Sequence, residues 1–202
     1  MTKITASQGE STRTKVTQGS HDAMLIRVID LGTQTPPPTS QFPDPKRQIE
    51  LVYEVLDQTM EYNGETKPML VYERVSPYVS YKVDKITNYH KKVNALTGKT
   101  LTHDEAKVVD YASLLGNVYT VQIEHKGEYE NIQSMTKATK KTQESYAEYI
   151  PHNEMFVFSL EEFNADVFAK LHEKKREVIA KSPEYKSAIE SADEKEVDDL
   201  PF

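Results

Sequence analysis

The chain has 202 residues, 37% hydrophobic and 28% charged, with a formal net charge of -7 and no cysteine. That length suits one ordinary domain with appendages, and the missing thiols exclude a disulfide framework, a cysteine nucleophile and every cysteine-based metal site. The charge is uneven: residues 190–202 hold six acids and one lysine, -5 of the -7, so the other 189 residues carry only -2 and leave room for a basic face.

Residues 1–20 are rich in Ser, Thr, Gln and Gly with scattered Lys3, Arg13 and Lys15, and read as a flexible arm. Met1 to Thr5 show no apolar targeting core, and no segment approaches the roughly 18 apolar residues of a membrane span, so a soluble, cytoplasmic protein is expected. The run Met24 to Ile29 predicts a first strand, ended by Leu31-Gly32. Five prolines between Thr35 and Pro45 make the next stretch a loop, whose exit carries Lys46 and Arg47.

Ile49, Leu51, Tyr53 and Val55 alternate with more polar residues, the period of a strand with one apolar face. Asn63-Gly64 signals a turn. A β-rich stretch from Pro68 to about Val83 follows, interrupted by Pro77 and holding Tyr72, Arg74, Tyr78, Tyr81 and Lys82. From Asp84 to Leu96 the spacing of Ile86, Tyr89, Val93 and Leu96 predicts a helix, with Gly98 as its C-cap. Thr102-His103-Asp104-Glu105 is a capping box that opens a second helix, expected to reach Leu114.

Val118 to Glu124 alternates again, with Tyr119, Val121 and Ile123 facing inward, and Tyr129 to Met135 predicts a last strand after a turn at Gly127. Lys137, Lys140 and Lys141 follow in a Thr-rich loop. Ser159-Leu160-Glu161-Glu162 reads as another capping box, opening a helix with Leu160, Phe163, Val167, Phe168 and Leu171 on one stripe that ends near Lys181. Beyond it a turn at 184–189 and then disorder are expected.

The domain plan is therefore an arm (1–20), a folded domain (21–181) and an acidic tail (182–202). The fold class is mainly β with helical additions (α+β): about five strands in a small, partly open barrel of OB type, with a helical insertion and a C-terminal helix. Dimerisation through the helix at 160–181 is compatible with the pattern.

No catalytic or metal motif stands out. Gly98-Lys99-Thr100 resembles the end of a phosphate-binding loop, but the glycine the motif needs five residues upstream is Val93. The six histidines are scattered, and no Gly-x-Ser-x-Gly elbow occurs. A non-enzymatic protein without cofactor or metal is expected.

A binding surface is legible instead. Tyrosines recur beside basic residues, a composition that stacks unpaired bases and neutralises phosphates. The candidate DNA-binding residues are Lys46, Arg47, Lys67, Tyr72, Arg74, Tyr78, Tyr81, Lys82, Lys137, Lys140 and Lys141, whereas Tyr53 and Tyr119 share faces with aliphatic residues and read as core. At the other end, Asp198-Asp199-Leu200-Pro201-Phe202 joins two carboxylates and the terminal carboxylate to a rigid proline and a phenylalanine. Such a tip suits an apolar partner pocket with a basic rim.

Several segments resemble the single-stranded DNA-binding proteins of tailed bacteriophages. They are Val28-Ile29-Asp30-Leu31-Gly32-Thr33-Gln34, Pro45-Lys46-Arg47-Gln48, Leu51-Val52-Tyr53-Glu54, Pro77-Tyr78-Val79-Ser80, Leu96-Thr97-Gly98-Lys99, Thr102-His103-Asp104-Glu105, Leu114-Leu115-Gly116 and Asn131-Ile132. The tip is similar to that of bacterial single-stranded DNA-binding proteins. The resemblance implies an OB-like fold that coats single-stranded DNA in phage replication, recombination or repair, in the cytoplasm of the infected host, and recruits partner proteins through the tip. A replication adaptor that binds no DNA is the alternative.

Overall fold

The structure, a computed structural model, describes residues 14–198 apart from Phe42 and Val83, and the side chains only as far as Glu190. Residues 1–13 and Asp199 to Phe202 lie outside this range, as does the side chain of Asp198, so most of the expected arm and the expected docking tip are not described.

The protein is mainly β with helices. Five strands, β1 (Gly19–Gln34), β2 (Lys46–Tyr62), β3 (Glu65–Val75), β4 (Val118–Lys126) and β5 (Tyr129–Lys137), form an antiparallel sheet in the order β3-β2-β1-β4-β5. A short sixth strand, β6 (Phe156–Phe158), runs parallel to β1 beside Arg27 to Ile29. The sheet is open: among the described residues no ladder joins β3 to β5, although these two edge strands touch.

β1 is long because it serves three partners. It pairs with β4 over Gly19 to Met24, with β6 further on, and with β2 from Ala23 to Gln34. Its ladder to β2 slips between Leu25 and Arg27, so Ile26 is an extra residue. A bulge reverses which parity faces which side. Accordingly Ala23, Leu25 and Val28 enter one core, while Met24, Ile26, Ile29 and Leu31 enter another on the opposite face. A second slip lies between Asp30 and Gly32, where the Asp30 carboxylate accepts the Gly32 amide at 2.9 Å. Gly32 has φ +67°, and a Cβ there would stand 2.4 Å from Ser182 Oγ, so only glycine allows both the turn and the close approach of the C-terminal segment.

The first core holds the apolar face of β2, Ile49, Leu51, Tyr53 and Val55, together with Tyr119, Val121 and Ile123 of β4. Helix α1 (Asn88–Thr97) closes it with Tyr89, Val93 and Leu96. The sequence pattern started α1 at Asp84; it starts later because Thr87 accepts the His90 amide as its cap, leaving Ile86 outside and 45% exposed. The capping box of α2 (His103–Lys107) is present, but the helix stops at Lys107. The chain restarts as a 3-10 turn at Ala112–Leu114 because the Asp110 carboxylate takes the amides of Ala112 and Ser113, a local bond that competes with helix continuation.

The N-terminal segment departs from the expected loose arm. Val16 is fully buried, and its neighbours tie the two hairpin ends together: the Val16 amide donates to Glu130, His125 Nε2 donates to the Val16 carbonyl at 2.7 Å, and the Thr17 amide donates to Gln58.

The second core lies under the C-terminal segment, where the structure corrects the sequence reading most. The expected helix from Leu160 to Lys181 is absent. Ser159 does not cap a helix; its hydroxyl accepts the Glu161 amide, and the Leu160 amide turns toward Asp30. Short helices α4 (Ala165–Ala169) and α5 (Glu173–Ala180) begin instead at caps from Asn164 and His172. The residues of the expected stripe still pack into the second core, but from separate segments, and Phe163 and Phe168 join Phe158 and Tyr185 in one ring cluster with centroids 5.1–6.1 Å apart. A helix α3 (Lys140–Ser145) occupies the expected Thr-rich loop, capped by Thr139. Where disorder was expected, α6 (Pro183–Asp198) continues the chain. Its start is fixed by Ser182 accepting the Tyr185 amide and by Glu184 accepting the Thr33 amide at 2.8 Å and hydroxyl at 2.6 Å.

Covering both faces of β2 buries two carboxylates. Glu54, fully buried, accepts from the Tyr149 hydroxyl at 2.6 Å, the amides of His152 and Asn153, and the Asn153 side chain at 2.7 Å. Glu50 pairs with Arg74 at 3.1 Å and with Lys175.

Candidate nucleic-acid interface

The far end of the sheet, where β1 ends, β2 begins and β3 leaves, gathers the basic and aromatic residues. β3 ends at Val75, just ahead of Pro77. The chain then crosses this end as a loop to α1. Among the bonds that hold the loop, the Ser76 hydroxyl donates to the Arg47 carbonyl at 2.9 Å, and the Thr87 hydroxyl donates to the Tyr78 carbonyl at 2.6 Å.

Two open clefts flank Pro77 and Tyr78. The first, about 820 Å³, is lined by Lys46, Arg47 and Arg74, by Tyr78 and Tyr89, and by Lys92 beside Glu73. The first turn of α1, Thr87 to Tyr89, opens into it, adding the positive end of a helix dipole. The second, about 810 Å³, shares Arg47, Pro77, Tyr78 and Tyr89, and continues between the 107–112 segment and β6 to Glu161 and Glu162.

Four of the eleven candidate residues therefore meet in one cleft: Lys46, Arg47, Arg74 and Tyr78. Tyr81 and Lys82 ride on the same loop without lining either cleft; Tyr81 is 84% exposed, and the Lys82 ammonium sits 5.8 Å from its ring centroid. Tyr72 stands on the same strand and two residues from Arg74, on the outer side of β3, and is half exposed. The others lie apart. Lys67 belongs to the β2–β3 hairpin, paired with Glu65 at 2.7 Å and set over the Tyr62 ring. Lys137 ends β5 against Gly98, and Lys140 and Lys141 begin α3.

The electrostatics are more balanced than the residue types suggest. Arg47 donates through Nη2 to Asp30 at 2.6 Å and through Nη1 to Glu161 at 2.7 Å, and these carboxylates hold its guanidinium above the usual arginine range despite partial burial. Arg74 spends its Nε on Glu50. Lys92 bonds Glu73 Oε1 at 2.7 Å, while Glu73 Oε2 is buried with no partner among the described residues. Burial raises the Glu73 carboxyl above its ordinary value, and Lys92 offsets only part of that rise.

The sequence pairs Tyr89 with Lys91 and Lys92, but Lys92 was not among the candidate residues, and Glu73 and Tyr111 were missed as parts of this site. Lys92 follows Tyr89 by three residues and so shares its helix face, a signal that was available. Tyr111, whose hydroxyl is 2.8 Å from that of Tyr89, comes from a non-periodic segment that only the fold brings near. Among the described residues no group of three or more His, Asp or Glu side chains is arranged to hold a metal ion. Nor is any helix long and apolar enough to cross a membrane. No protein-family model, curated protein or solved structure matches this chain.

Proposed function

We propose that this protein is a non-enzymatic coat for single-stranded DNA, acting with little sequence preference in phage replication, recombination or repair within the host cytoplasm. The observation that carries the reading is the convergence of Lys46, Arg74 and Tyr78 with Lys92 on one open cleft, since phosphate-neutralising cations beside exposed rings are what an unpaired strand requires. An OB-type barrel is the matching fold. Its support is the strand order, the contact between edge strands β3 and β5, and the helical insertion between β3 and β4 that caps the first core. Asp198 to Phe202 would then serve as a tethered docking tip for replication or recombination proteins, with Phe202 in an apolar pocket and the carboxylates on its basic rim.

The pairing of Arg47, Arg74 and Lys92 with carboxylates favours a second reading, a replication adaptor without DNA binding. A gel shift with a labelled mixed-sequence single strand, a duplex competitor and a salt series separates the two. Coating requires a shift that resists duplex and weakens steadily with salt; no shift at low salt leaves the adaptor.

A further inference from the structure

The two clefts that meet at Tyr78 differ in polarity, as do the two ends of a nucleotide. The basic cleft offers Lys46, Arg74 and Lys92. The other has Val79, Val108 and Val109 in its walls with the rings of Tyr78, Tyr89 and Tyr111, and carries Asp110, Glu161 and Glu162. Its two cations are both paired, Lys107 with Asp104 at 2.8 Å and Arg47 with Asp30 and Glu161. Carboxylates repel a phosphate, so a strand whose backbone follows the basic cleft has its bases, not its backbone, directed across Tyr78.

Resting on the DNA-coating reading but giving it a bias in base composition, we infer that the acid-rimmed cleft receives unpaired bases and favours those with exocyclic amino groups over thymine. Tyr78, exposed at the mouth, can stack any base, while Tyr89 and Tyr111 belong to the packed wall behind it. The rim then discriminates. A carboxylate only accepts hydrogen bonds, and adenine, cytosine and guanine each offer an amino group to it. Thymine has one ring N–H flanked by two carbonyl oxygens that a carboxylate repels. Glu162 is exposed and has no side-chain partner among the described residues. Asp110 uses Oδ1 on the amides of Ala112 and Ser113, leaving Oδ2 for a ligand. Glu161 is held by Arg47 and acts mainly as part of the wall. In a duplex the base faces are stacked on one another and closed to Tyr78, so stacking in this cleft also selects for single strands.

The test is fluorescence anisotropy of the full chain with labelled oligo(dC) and oligo(dT) of equal length, repeated with Glu162→Gln and with Asp110→Asn/Glu162→Gln. The expected result is oligo(dC) bound roughly tenfold more tightly than oligo(dT). In the double variant the ratio should fall to about twofold or less as oligo(dT) binding improves, because amides donate as well as accept. Asn keeps the Oδ1 acceptor for the Ala112 and Ser113 amides and Glu162 is exposed, so thermal melts should match the parent. Equal binding of the two oligonucleotides by the parent, or a ratio unchanged in the double variant, overturns the base preference and leaves DNA coating standing. If neither oligonucleotide binds, both readings fall, and binding of a Lys/Arg-rich peptide that Glu162→Gln removes would assign the cleft to a protein partner.

Discussion

Arg47, which lines both clefts, is joined to Asp30 at 2.6 Å and reaches on to Glu161 at 2.7 Å. Asp30 is buried and also receives the amides of Gly32 and Leu160. Removing its cation leaves an uncompensated buried charge, so Arg47→Ala should cost about 3 kcal/mol in chemical denaturation. Glu161 is 74% exposed at its side chain. Glu161→Gln should therefore barely change stability, and should raise single-strand affinity by releasing one guanidinium nitrogen for phosphate. Unchanged affinity would mean that Arg47 is purely structural.

Lys46→Ala and Arg74→Ala should each weaken single-strand binding and lower the slope of log K against log salt by about one. Lys67→Ala and Lys140→Ala, far from the cleft along the chain's topology, should leave the slope unchanged. Binding isotherms over a salt series check both statements, and equal effects from all four would disperse the site over the surface.

The buried Glu73 carboxyl titrates above the ordinary value of 4.5. Its folded state holds a proton that the unfolded chain has released, so between the ordinary and the raised value this group favours folding more as pH falls and less as pH rises. Protonation also frees Lys92. Single-strand affinity should therefore increase as pH drops into that window, and Glu73→Gln should flatten the increase. Titrations at constant ionic strength would show it.

Glu54→Ala leaves four donors from the 149–153 segment unsatisfied, and should cost on the order of 3 kcal/mol. Hydrogen exchange should accelerate first at the amides of His152 and Asn153, which donate to this carboxylate.

Deleting 198–202 should preserve or raise single-strand affinity and abolish capture of replication or recombination proteins from an infected-cell extract. A large loss of DNA affinity would place the tip within the DNA site instead.

The five main strands and the start of α2 were legible because period-2 alternation and a Thr-x-x-Glu box depend on neighbours in the chain. The break in the C-terminal stripe was not. Ser159-Leu160-Glu161-Glu162 satisfies the capping pattern locally, but Asp30 and Arg47, over a hundred residues earlier, claim the Leu160 amide and the Glu161 carboxylate. The candidate site divided in the same way. Lys46, Arg47, Arg74 and Tyr78 converge because strands β2 and β3 pair in register, Glu50 opposite Arg74. Lys137, Lys140 and Lys141 have the same chemistry on a different part of the fold. A carboxylate that neutralises the cleft was equally hidden, since Glu50, the partner of Arg74, sits at a position that alternation assigns to solvent.

The extra residue at Ile26 has a consequence for how the protein melts. β1 supplies side chains to both cores on either side of that bulge, so it is a party wall that neither compartment can lose alone. The short helices of the C-terminal layer would be marginal as an independent unit, yet their loss would bare Ile26, Ile29 and Leu31 on a strand the first core still needs. The two compartments are thereby made to open and close as a single cooperative body.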